Sequence, residues 1–326
     1  MSRNYKTFTG PFAPMCEAFI RQKQALGYKY ISGYWILRSF DSFSNAYDVH
    51  DYELTKEMVQ EWSRRRPNES ETHRSARVLE LQKLSFFLIQ QGYSSYLAPP
   101  HRHTSSSHTP YIFTHDEIQR IFAEADRIEP SPYSPSKHLI FPMLYRMLYG
   151  CGFRISEVLQ LCLEDVDVNE GIVHVKHGKN DNERYVPMSQ SLTARCAAFI
   201  SEAHVGHEPY YPFFYKKDGS RYTVSNIEKH FRELLWLAGI PYQGQKLGPR
   251  VHDVRHTFVC HRLNQWAMAD TDLMALLPVL SKYIGHGSMS ATQWYLRLTA
   301  EAYPDITEKM EALTGYVFPE VGGELL

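Results

Sequence analysis

Between residues 250 and 295 the chain carries His252, Arg255, His286 and Tyr295 in the stretch RVHDVRHTFVCHRLNQWAMADTDLMALLPVLSKYIGHGSMSATQWY. Two imidazoles, a guanidinium and a phenol suit phosphate chemistry, since they supply proton carriers, a fork of N–H donors and a nucleophile. His252 and Arg255 are three apart, so on a helix they share a face and can meet one anion together. The helical pattern runs through Gln265 and Trp266, breaks at Asp270 and resumes through Leu280 to Ile284. It stops at Gly285-His286-Gly287, whose glycines suit a helix end and leave His286 at a turn. Ser288 can cap a further short helix, Met289 to Leu296, which sets Tyr295 about two turns beyond that histidine.

Two upstream segments add candidates. Arg154 follows Gly150-Cys151-Gly152, a glycine-bearing turn that permits close approach to a ligand. Read alone, Arg154 could equally be a surface arginine pairing with Glu157 three residues on. Lys179 lies in His177-Gly-Lys-Asn-Asp-Asn182, which has hairpin-turn chemistry between strands expected near 172–176 and 184–187. A lysine at such a tip is ordinarily a solvated loop residue, and Lys176 competes with it.

Four ordered segments, YGCGFRISEVLQL, HGKNDNERYVP, HDVRHTF and YIGHGSMSATQWY, together resemble the arginine, lysine-hairpin, histidine–arginine and histidine–tyrosine motifs of the tyrosine recombinase (phage integrase) family. The resemblance spans about residues 110–300. It implies DNA strand exchange through a 3′-phosphotyrosyl intermediate, with neither metal nor nucleotide. On the matching positions it makes Tyr295 the nucleophile and has Arg154 and Arg255 hold the phosphate oxygens. It further has His252 assist proton removal from the tyrosine, His286 donate a hydrogen bond to the phosphate, and Lys179 protonate the departing 5′ oxygen. Glu157 then looks like a support for the site. The partners implied are double-stranded DNA at a specific recombination site and a homotetramer in the synaptic complex, built from a chain that is monomeric without DNA.

The elements around these residues predict a mainly α protein, with a helical amino-terminal domain over 1–97, which the resemblance implies is a DNA-clamp domain, a linker over 98–110 and an α+β catalytic domain with a small antiparallel sheet and a carboxy-terminal tail over 111–326. Residues 11–92 read as four helices: Phe12 to Leu26, Gly33 to Tyr47, one capped by Thr55 and ended by Pro67, and one from Ser70 to Gly92. Val78, Leu81, Leu84 and Leu88 make an apolar stripe on the last. Arg64, Arg65, Arg66, Arg74 and Arg77 cluster at the junction before it. By themselves they read as a solvated face, and beside the family motifs they become a candidate contact surface for the DNA backbone. The segment APPHRHTSSSHTP is rich in Pro, Ser, Thr and His and lacks periodicity, as a linker does. Thr114 and Glu117 form one capping box, and Ser225 with Glu228 is expected to form another.

Composition bounds the rest. The 326 residues suffice for two domains, and the net charge is −1, which by itself does not point to nucleic acid. Its distribution is uneven: residues 1–110 hold 14 Lys and Arg against 10 Asp and Glu. Five cysteines without a C-x-x-C pair argue against a disulfide or zinc framework, and MSRNYKTFTG lacks an apolar signal core, so a cytoplasmic protein is expected. Other readings stay open at this stage. His252 and His256 form H-x-x-x-H, one residue type from a zinc-protease motif, with His256 otherwise expected to pack internally. His101, His103 and His108 could bind metal in the linker. Tyr283 and Tyr303 compete with Tyr295. A type IB topoisomerase or a catalytically silent DNA-binding relative would use much of the same equipment, whereas the recombinase reading leans toward a mobile element. Beyond Pro304-Asp305, Ile306, Met310, Leu313, Val317 and Phe318 offer an apolar face that either folds back or docks on a neighbouring subunit.

Overall fold

The computed structural model describes residues 7–97, 109–176, 183–241, 244, 248–269, 271–286 and 289–302. Lys179, the linker histidines, Tyr303 and the segment after Pro304 lie outside them. The chain forms two compact units, Met1–His108 and Thr109–Leu326.

The first unit is four helices: α1, Ala13–Ala25; α2, Ile31–Ser44; α3, Lys56–Ser63; and α4, Glu71–Gln90. The Thr55 hydroxyl accepts from the Met58 amide and the Ser70 hydroxyl from the His73 amide, so both caps expected from sequence form. α2 begins two residues before Gly33, its entry turned by Tyr30 in the left-handed conformation. Val78, Leu81, Leu84 and Leu88 are all buried, each worth about 1.5–3 kcal/mol if fully withdrawn from water. Leu81, Leu84 and Leu88 share a core with Phe12, Phe19, Phe40 and Trp62.

In the second unit α5, His115–Asp126, opens on the complete Thr114–Glu117 capping box. α6, Lys137–Cys151, ends at Gly152 and leads into a single helical turn, α7, Ile155–Val158. Three short strands follow: β1, Val166–Asp167; β2, Ile172–Val175; and β3, Arg184–Pro187. They form one antiparallel sheet in that order, with Val173 opposite Val186 and Val175 opposite Arg184. Val173, Val175 and Val186 point into the core. The remaining helices are α8, Gln190–Ala203; α9, Val224–Leu237; α10, Val251–Met268; α11, Leu273–Ile284; and α12, Met289–Ala302. The cap of α9 is Thr223, paired with Asn226, rather than Ser225 with Glu228. Ile227, Phe231 and Leu234 face inward along this helix. α12 continues one and a half turns beyond the expected Leu296. Among the described residues no helix is long and apolar enough to cross a membrane.

Candidate active site

The site is built where the ends of α6 and α11 meet the start of α10. Gly152 terminates α6 with φ of 62°, and a Cβ there would lie 2.4 Å from the Phe258 ring of α10. Only glycine both adopts the left-handed turn and admits that ring. The turn delivers Arg154 to the N-cap of α7, where its backbone N–H donates to Glu157 Oε2 at 3.0 Å. α10 starts at Val251 because Asp253 Oδ2 accepts from the Arg250 amide, which sets His252 in the first turn and Arg255 in the next.

Three guanidiniums converge on three consecutive carbonyls at the end of α11. Arg184 Nε donates to Tyr283 O at 2.9 Å, Arg255 Nη2 to Ile284 O at 2.7 Å and Arg154 Nη2 to Gly285 O at 2.7 Å. The carbonyl end of a helix is electronegative, so cations are favoured there. Arg255 also donates to Gly152 O at 2.6 Å, tying the two helix ends together. It is 2% exposed, and burial draws its pKa down to about 10, which leaves it charged at neutral pH.

Glu157 sits behind this array. Its carboxylate takes two hydrogen bonds from Arg184, at 3.1 and 2.9 Å, and one from Arg154 at 2.7 Å. Its side chain is 1% exposed. Burial alone would raise its pKa, but the Arg184 hydrogen bonds and charge, followed by those of Arg154, outweigh burial and hold the carboxyl below its ordinary value. Glu157 thus anchors both Arg154 and Arg184. Arg184 was not among the expected site residues. The signal was available: it shares a strand face with Val186, two residues on, and that face is buried.

His286 follows Gly285, whose φ is 68° and whose absent Cβ leaves room for the Arg184 guanidinium, which a methyl group would meet at 2.9 Å. The ring of His286 stacks on that of Tyr295 with centroids 5.8 Å apart, and its Nδ1 is 2.9 Å from the Thr292 hydroxyl. Half-burial, then the charges of Arg255 and Arg154, lower its pKa to about 4, so the imidazole is neutral at neutral pH. His252 is exposed. Although its surface is open to solvent, neighbouring atoms crowd its ring, and that desolvation, with the nearby Arg255 and Arg154 charges, holds it below its ordinary pKa.

Tyr295 is 3% exposed, and burial raises its pKa to about 12 against the lowering influence of Arg255. His256, expected to pack internally, instead places Nδ1 2.8 Å from the Tyr295 hydroxyl. Of the competing groups, Tyr283 donates its hydroxyl to Pro187 O at 2.9 Å. Lys176 is held by Glu164 and Asp165 at 2.6 and 2.7 Å. Among the described residues no group of three or more His, Cys, Asp or Glu is placed to hold a metal ion.

The five arginines of the first unit do not behave alike. Arg77 is buried, bound to Glu69 through Nε and Nη2, both at 2.9 Å, and lies over the Trp62 ring at 4.8 Å. The Arg77 hydrogen bonds pull the Glu69 carboxyl down to about 2 despite its burial. Arg77 is therefore part of the core, contrary to its expected place on a contact surface. Arg66 stacks on Trp62 at 4.5 Å, Arg65 donates to Glu69 O, Arg74 pairs with Glu71, and Arg64 is well exposed beside Glu61. Arg77→Ala is expected to cost about 3–5 kcal/mol by stranding a buried carboxylate, whereas Arg64→Ala should change stability by no more than about 0.5 kcal/mol. Urea denaturation of the two variants checks the contrast.

Paired arginines, a turn histidine and an enclosed tyrosine in one cluster are the equipment of a phosphoryl-transfer site. Residues 112–302 match the model of the phage integrase family. A putative integrase/recombinase, y4rB, of Sinorhizobium fredii is 27% identical over 311 residues, covering 92% of this chain and 97% of that protein. The tyrosine recombinase XerA of Pyrococcus horikoshii is 25% identical over 211 residues, covering 63% of this chain and 62% of its own length. Among solved structures, the Tn1549 transposon integrase in complex with transposon right end DNA shares the fold with a TM-score of 0.64 at 16% identity, covering 92% of this chain and 99% of that one. The chain belongs to the phage integrase family. It is an enzyme of the tyrosine recombinase type, a site-specific DNA recombinase.

Proposed function

We propose that this recombinase cuts and rejoins double-stranded DNA through a 3′-phosphotyrosyl intermediate on Tyr295. The observation that carries the assignment is the cluster in which one buried phenol lies within reach of Arg255 and a turn histidine, while Tyr283 is committed elsewhere. Arg154 and Arg255 hold the nonbridging oxygens and offset charge as the pentacoordinate transition state forms. Thr292 pairs with Nδ1 of His286, leaving Nε2 of that ring to donate to the phosphate. His252, exposed beside the arginines, adds a further hydrogen bond there. The covalent ester conserves the energy of the broken bond, so rejoining draws on no nucleotide. The relatives named recombinases support strand exchange over simple relaxation, and the likeness to a transposon integrase supports work on a mobile element. We assign the active form as a homotetramer around two duplexes, with Arg64, Arg65, Arg66 and Arg74 on the DNA-facing surface of the first unit.

Trapping the adduct on a nicked duplex and sequencing the DNA-linked peptide tests the assignment: Tyr295 is expected, and a label on Tyr283 or Tyr303 refutes it. Lys179 is proposed as the acid that protonates the 5′ oxygen. A sulfur at that bridging position makes a leaving group that needs little protonation. Lys179→Ala is then expected to cleave the sulfur substrate nearly as fast as the parent, with Arg154→Ala still slow. Equal slowness of both variants would move the role to another residue.

A further inference from the structure

The Tyr295 phenol is enclosed, and it must lose its proton as its oxygen bonds to phosphorus. Two histidines of α10 stand nearby, one turn apart, with ring centroids 4.8 Å from each other and edge to face. Only the second of them meets the phenol: His256 Nδ1 is 2.8 Å from the hydroxyl, and the two ring centroids are 5.5 Å apart. His252 makes no such contact among the described residues. The third imidazole, His286, lies near-parallel to the Tyr295 ring with centroids 5.8 Å apart and directs Nδ1 to Thr292. With Nδ1 engaged there and Nε2 assigned to the phosphate, His286 is left to the phosphate, and the nitrogen at the phenolic hydroxyl is that of His256.

Building on the assignment of Tyr295 as nucleophile, we infer that His256 is a catalytic residue, accepting the Tyr295 proton at Nδ1 during strand cleavage and returning it during rejoining. In the forward step the phenol O–H bond breaks and its proton goes to Nδ1. The phenolic oxygen forms the bond to phosphorus, and the P–O5′ bond breaks with the proposed Lys179 protonating the leaving oxygen. In the reverse step a 5′-hydroxyl attacks phosphorus and gives its proton back to the neutral Lys179 amine. The tyrosine oxygen then departs and takes back the proton held on His256. The same nitrogen serves both directions because the hydrogen bond that removes the proton is the one that returns it.

The surroundings favour this division of labour. Tyr295 faces His256 from α12 and His286 from the turn, Arg255 and Cys260 act on it from α10, and Arg154 acts on it from α7. The guanidiniums supply positive charge to the phenolate as it forms, and none of them is a base. His256 lies on α10 one residue after Arg255, so one rigid helix carries both the phosphate ligand and the proton acceptor. Half-buried between His252 and Trp294, its ring is held on two sides.

The test uses the full chain and a nicked duplex carrying its recombination site, and follows covalent adduct against pH. His256→Asn keeps a hydrogen-bonding group near the position of Nδ1 but takes up no proton near neutrality. It is expected to bind DNA as the parent does, to form adduct about 10²–10⁴-fold more slowly, and to lose the fall in rate at acid pH that protonation of His256 produces in the parent. His252→Asn is expected to retain that acid limb. A fluorinated tyrosine at position 295, whose phenol is more acidic, should then restore most of the rate lost in His256→Asn and little of that lost in Arg154→Ala. Parental rate and pH profile in His256→Asn would overturn the inference, as would a slow variant that the fluorotyrosine leaves unrescued, since that pattern belongs to a residue that only positions the ring. Where His256→Asn fails to fold, His256→Gln takes its place in both arms. Mapping the adduct peptide in the same samples separates the two ideas: a label on another tyrosine refutes the nucleophile itself, whereas a label on Tyr295 with an indifferent His256 variant refutes only the proton acceptor.

Discussion

Tyr295→Phe is expected to fold and bind its DNA site as the parent does, yet to form no detectable covalent adduct. Phe keeps the ring that stacks on His286 and fills the space between α10, α11 and α12. What disappears is one hydroxyl with its hydrogen bond to His256. Because that bond is made by a buried group whose desolvation opposes it, its loss should change stability by only about 0.5–1.5 kcal/mol. Chemistry is another matter: without the phenolic oxygen there is no atom to join to phosphorus. Gel-shift titration and adduct trapping on the same nicked duplex give the two halves of the result. Adduct formation by the Phe variant would show that a different oxygen attacks.

Glu157→Gln should damage both stability and activity, because the side chain keeps its shape while two guanidiniums lose their counter-charge. Arg184 and Glu157 are both almost wholly enclosed, with Arg184 8% exposed at its side chain. Breaking such a pair costs about 3–5 kcal/mol, and the new amide N–H would face donors instead of accepting from them. The pH dependence has a definite sign. The folded-state pKa of Glu157 is depressed, so its contribution is complete above the pKa of the unfolded chain and is lost as pH falls through the lower, folded value. Denaturation midpoints of the parent should therefore fall below the usual carboxylate range by more than those of Glu157→Gln. Arg154, no longer anchored through Nη1, should also bind phosphate less well, and adduct formation should drop while Tyr295 remains in place.

The sequence makes the motifs legible where one local interaction decides them. The Thr114–Glu117 box, the Thr55 and Ser70 caps and the glycine end of α11 all follow from residues within four positions of each other. The start of α9 does not, since Thr223 and Ser225 are both competent caps and burial of Ile227 chooses between them. Arg77 has the charge of a contact residue but the register of a core one: Leu81, Leu84 and Leu88 follow it at four, seven and eleven residues, so it lies on the inward side of its helix. His256 was least accessible. Its partner is 39 residues away, and only the return of α12 across α10 brings the two together.

The three carbonyls at the end of α11 also decide how the guanidiniums are aimed. Arg154 gives one N–H to Glu157 and one to the Gly285 carbonyl, and Arg255 one each to the Gly152 and Ile284 carbonyls. A guanidinium carries five N–H donors in one plane, so these bonds fix the orientation of each fork without exhausting its donors. Because the anchors are backbone carbonyls, both forks inherit their alignment from the place where α11 ends. Gly285, whose left-handed turn ends that helix, therefore sets the aim of the arginines and the position of the following His286 in one stroke.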